Sequence, residues 1–133
     1  MNILYKKETT LPVEAMEERL RAAAQNHQFG ILNATDLREK MRSKGLEFAP
    51  ACMVFDVCNP RRAKDVLESN MDISTALPCR ISVYEKNGAT CVATLLPTQV
   101  IGLFGSDGLE TASQAVEEAL KAIIDEAIAS PSS

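Results

Sequence analysis

Hydrophobic and polar positions change period several times along the chain, and each change marks an element. Over residues 12–26, Val13, Met16, Leu20, Ala23 and Ala24 keep the i, i+3, i+4 spacing of a helix that lays one apolar stripe on a core. Thr10 is the expected cap and Pro12 suits the first turn. Before this helix, "ILYKKE" at 3–8 predicts a short strand with one polar and one mixed face. After it, "FGILNAT" at 29–35 predicts a second strand. Asp36 then caps a shorter helix over 37–44, which Gly45 stops. "ACMVFDV" at 51–57 is apolar on both faces, as a central strand is. A third helix follows over 60–70, with Asn59 as N-cap, Pro60 as first residue, and Ala63, Val66 and Leu67 turned inward.

The strongest local signal is "CRISVYEKNGATCVATLL", in which Asn87-Gly88 separates two alternating runs and predicts a two-residue type I′ hairpin. Its register follows from the turn: Lys86 faces Ala89, Tyr84 faces Cys91, Val83 faces Val92, Ser82 faces Ala93 and Ile81 faces Thr94. One face then carries Cys79, Ile81, Val83, Val92 and Leu96 and is the candidate core. The other carries Arg80, Ser82, Tyr84, Cys91 and Ala93, a mixed surface suited to solvent or to a second subunit. Beyond Pro97, "VIGLFG" reads as a turn-rich segment too hydrophobic for a free loop, so it tucks under another element or meets a partner chain. The longest helix follows, with Asp107 as cap, Glu110 three residues on, and Leu109, Ala112, Val116, Leu120, Ile123 and Ala127 as its stripe. Residues 130–133, "SPSS" without its flanks, complete the chain as a frayed tail. The pattern predicts one α+β domain over residues 1–129, a mostly antiparallel sheet with helices on one face.

Composition is consistent with that picture. A chain of 133 residues, 46% of them hydrophobic, can bury a core without staples. The net charge of −4, from 18 acids and 14 bases spread along the chain, argues against nucleic acid or anionic membrane as a partner. No apolar run reaches the ~20 residues of a membrane span or has the flanks of a signal peptide, which predicts a cytoplasmic protein. Cysteines at 52, 58, 79 and 91 lack close pairing, and the chain has one histidine, so no metal site is predicted and the thiols are expected to be free.

Candidate chemistry concentrates in "DVCNPRRA" at 56–63. Cys58 precedes a helix start, where unpaired amides favour an anion and lower a thiol pKa. Arg61 and Arg62 add positive charge in the first turn, a conflict that Asp56 is placed to relieve. If the strand opened by Cys79 runs antiparallel beside 51–57, Cys79 lies next to Cys58. Asp36 and the turn after Pro97 are expected at the same end of the sheet. The candidate site is therefore Cys58, Asn59, Cys79 and Asp36. The alternative is that both cysteines are small packing residues. Cys52 and Cys91 read as packing, and His27 as a surface residue.

In order and spacing, "FGILNATDL", "KMRSKGLEF", "CNPRRA" and "LPCRISVYE" resemble the domain of unknown function family 302 of bacteria and archaea. The resemblance spans nearly the whole chain and is most specific at Cys58-Asn59-Pro60 and Leu77-Pro78-Cys79. It implies a curved antiparallel sheet with helices packed on it, a TATA-binding-protein-like arrangement, commonly as a homodimer, and it implies no reaction or cofactor. One departure is Leu96, where many members place an acid or amide before the proline. The expected function is a small-molecule ligand site or a thiol redox pair at Cys58 and Cys79. The rivals are a non-catalytic homodimeric interaction module and an enzyme of unrecognised substrate.

Overall fold

In the computed structural model, which describes residues 2–105 and 108–129, the chain runs β1 (Leu4–Thr9), α1 (Val13–Gln25), β2 (Gly30–Asp36), α2 (Leu37–Ser43), β3 (Cys52–Cys58) and α3 (Pro60–Ser69). It continues through a 3-10 helix (Met71–Ala76), β4 (Cys79–Lys86), β5 (Ala89–Leu95), α4 (Pro97–Gly102) and α5 (Glu110–Ile128). The strands form one open antiparallel sheet in the order β1-β5-β4-β3-β2. Its centre is the predicted hairpin, with Tyr84 opposite Cys91 and Ile81 opposite Thr94. Asn87 at φ 52 and Gly88 at φ 80 supply the two positive dihedrals a type I′ turn requires.

Alternation in the strands decides which face is covered. Phe55, Ile81, Val83 and Val92 point to one side and are fully buried against Met16 and Leu20 of α1 and Leu120, Ile123 and Ile124 of α5. Each such side chain contributes roughly 1.5–3 kcal/mol by leaving water. A second, smaller cluster gathers Val66, Ile73, Ile101 and Leu109, joined by Leu77 and Phe104. It ties α3, the 3-10 helix and α4 to the start of α5.

Several local expectations change in the folded chain. Thr10 does not cap α1: Pro12, extended at ψ 154, holds the cap position without a side-chain bond. Thr9 Oγ1 instead accepts from the Leu11 amide at 3.2 Å. Leu96 does not join the core face, since β5 ends one residue earlier. That face is completed by Thr94, whose hydroxyl donates to the Arg80 carbonyl at 2.7 Å. The segment after Pro97 begins as the helical turn α4, and Ile101 carries it into the second cluster. The predicted cap Asp107 and the tail 130–133 lie outside the described residues.

The start of α4 explains how the chain tolerates Leu96, which cannot cap it. Glu117 of α5, itself buried, reaches across instead. Its carboxylate accepts from the Thr98 amide at 3.1 Å and the Thr98 hydroxyl at 2.6 Å, with Lys121 3.6 Å away. Burial alone would push this carboxyl up, but the Thr98 bonds and Lys121 outweigh it and hold its pKa below the usual range.

Replacing Glu117 by Ala is expected to cost about 1–3 kcal/mol in urea unfolding, because the Thr98 amide loses its partner. Because the folded pKa is depressed, the Glu117 contribution is present above the unfolded carboxyl value and is lost as pH falls through the folded one. The wild-type minus variant difference should therefore shrink on acidification.

Candidate ligand cleft at the two cysteines

The helix start predicted at Asn59 forms as written: Asn59 Oδ1 accepts from the Arg62 amide at 3.2 Å and Pro60 opens the helix. Strand β3 delivers Cys58 to this junction. Because β3 and β4 pair antiparallel with Val57 opposite Cys79, the first residue of β4 lies diagonal to Cys58. Cys58, Asn59 and Cys79 all line one cleft of about 290 Å³. Its walls are apolar: Phe29 just before β2 and Leu32 within it, Ala63, Val66 and Leu67 from α3, Leu77 and Pro78 before β4, and Ile101 from α4. The Leu77-Pro78 peptide is cis. Two polar members of this lining, Arg62 and Ser74, are absent from the sequence-based site, as are its apolar walls. Arg62 stood in the quoted motif, but only the path of α3 turns it to the cleft rim.

The four cysteines are free. Burial pushes the Cys58 thiol up from its ordinary value. Burial pushes Cys79 up to about 11, and the neighbouring Cys58 adds to the shift. The expected lowering at Cys58 therefore does not occur. The Arg62 amide at the helix start is already taken by Asn59, and Arg61 and Arg62 are solvent-exposed, Arg62 at the cleft rim. Nor does Asp56 relieve the two arginines, because its carboxylate accepts from Arg80 Nε at 3.1 Å across the β3-β4 ladder. With no cation pulling on them, two half-buried thiols in apolar walls stay neutral.

Asp36 lies elsewhere. Gly30 pairs with Cys58 and Asp36 with Met53, so antiparallel pairing sends the end of β2 to the opposite end of β3 from the cysteines. There its carboxylate caps α2, accepting from the Glu39 amide at 2.9 Å. Cys52, Tyr84 and Cys91 form a row across the other sheet face, with Glu8 next in register. His27 pairs with Glu126 of α5. Among the described residues no group of three or more His, Cys, Asp or Glu could hold a metal ion.

The turn after Pro97 does reach the cysteine end of the sheet, and it helps form a second groove of about 360 Å³ on the sheet's outer face. Val54, Ser82, Tyr84 and Ala93 supply its sheet side, and Pro97 and Val100 of α4 one flank. Leu77, Pro78, Cys79 and Ile101 line both cavities, so one wall separates them.

Fold and site together define an α+β domain with an open five-stranded antiparallel sheet and an apolar cleft at one end. The sequence profile of the Domain of unknown function DUF302 matches residues 5–127, and the chain belongs to that family. A similar solved structure is the crystal structure of an uncharacterized conserved DUF302 protein from Bacillus stearothermophilus. It is 29% identical, has a TM-score of 0.91, and the match covers 96% of this chain and 99% of that one. No curated protein matches the chain. Among the described residues no helix is long and apolar enough to cross a membrane.

Alkylation tests the state of the thiols. For Cys79 the logarithm of the iodoacetamide rate is expected to climb by about one per pH unit toward pH 11, without levelling near the free-thiol value of ~8.5. A plateau already reached near neutral pH would contradict it.

Proposed function

We propose that the chain is a small-ligand-binding domain whose site is the cleft holding Cys58, Asn59 and Cys79, with the thiols serving as soft, neutral wall groups. The observation that carries this reading is the cleft itself. Residues from β3, α3, β4 and α4 converge on a volume close to the ~300 Å³ lower bound of ordinary ligand sites, with mostly apolar walls and a few polar groups. The raised thiol pKa values favour binding over thiol redox at neutral pH, because a buried protonated thiol is a poor nucleophile.

A second reading concerns self-association and rests on the outer sheet face. No residue of α1 or α5 lines the groove there, and Leu4 and Leu95 at its edge remain 39% and 48% exposed. The same face carries both charge signs, with Lys6 and Glu8 on β1 and the Arg80–Asp56 pair toward the other side. A two-fold contact needs such a self-complementary surface. A homodimer burying this face is therefore the assembly proposed here.

The two readings have separate tests. Phenylnaphthylamine fluorescence should rise on binding to the wild-type protein and fall to background in Ala63→Trp, which fills the inner cleft, while Ser82→Phe in the outer groove leaves it intact. The reverse pattern would move the ligand site to the outer face. For assembly, sedimentation at micromolar concentration should give a dimer that Val54→Arg converts to monomer; a wild-type monomer removes the homodimer.

A further inference from the structure

We infer that the inner cleft takes an apolar monocarboxylate, whose hydrocarbon lies against Leu32, Val66 and Leu77 and whose carboxylate pairs with Arg62. The inference rests on the cleft being a ligand site and adds the chemical class of the ligand.

Charge carries the argument. Arg62 is the only charged side chain on the described lining, and no Asp or Glu shares it. Arg62 has no ion-pair partner among the described residues, and the first turn of α3 contains no acid. A cation in a first turn opposes the positive end of its own helix, so an anion docking there offsets a cost the fold otherwise bears alone. Guanidinium offers two parallel donors that match a carboxylate. Further donors stand on the same lining. The Asn59 side chain spends its oxygen on the Arg62 amide, which leaves its NH2 group, and Ser74 adds a hydroxyl. The thiols remain uncharged and do not repel an anion. One cation suits a single negative charge, and the apolar remainder of the wall suits a hydrocarbon rather than a sugar or a nucleotide.

Calorimetric titration of the full chain with sodium octanoate and with octanol separates the contributions, using wild type and Arg62→Gln. The asparagine cap uses only the backbone of Arg62, so the substitution leaves the helix start in place. Octanoate is expected to bind wild type roughly tenfold or more tighter than octanol, as one charge-assisted contact provides. Arg62→Gln should remove that advantage while octanol affinity stays unchanged, and added salt should weaken octanoate alone. Octanol binding as tightly as octanoate, or octanoate indifferent to Arg62→Gln, overturns the carboxylate assignment while the cleft keeps its role. If octanoate, octanol and phenylnaphthylamine all fail to bind, the ligand site itself is refuted and the carboxylate with it.

Discussion

Everything in this structure depends on how two helices seat on one face of the central strands. Side chains of β3, β4 and β5 alternate, and Phe55, Ile81, Val83 and Val92 cannot be buried unless α1 and α5 lie across them together. That packing fixes the sheet's inner side and leaves its outer side without a helical layer. It also determines where α5 begins, and through Leu109 and Glu117 it determines where α4 and the second cluster sit. The cleft is thus a by-product of core formation: it lies where the main core ends and the smaller cluster begins, with Phe29, Val57, Cys79 and Val116 of the first meeting Val66 and Ile101 of the second.

Its chemistry follows from that location. A thiol at the edge of an apolar core loses hydration without gaining a cation, and both cysteines move toward the neutral form for that reason. A helix start alone does not activate a sulfur. The orphan amides have to point at it, and here Asn59 takes those of Arg62 and Ala63, with its side-chain and backbone oxygens respectively. Charge is left only at the rim, on an arginine side chain whose backbone takes part in the same cap.

The sequence made the elements legible wherever the signal was local. Asn87-Gly88 set the hairpin register residue for residue, the stripe from Val13 to Ala24 set α1, and Asn59-Pro60 set the start of α3. One antiparallel pairing, that of β3 with β4, sets Cys79 opposite Val57 and so diagonal to Cys58, which is why the sequence could raise the two together. The features it missed depend on partners distant in the chain. The helical turn α4 relies on a carboxylate 19 residues away. The 3-10 helix carries a single fully buried residue, Ile73, too little to produce a period. Asp36 was misplaced because strand direction, rather than strand identity, decides which end of the sheet a residue reaches. The direction of the thiol shifts was illegible for a related reason, since the desolvating walls come from α3, α4 and the residues before β4.

The partition formed by Leu77, Pro78, Cys79 and Ile101 stands between the inner cleft and the outer groove. Ile101 and Leu77 of this partition pack into the smaller cluster and Cys79 against the main core, so it is anchored in both. A substitution that repacks one of these four residues therefore reshapes the inner cleft and the outer groove together. Two surfaces that look independent, one facing the helices and one facing outward, thus have four lining residues in common.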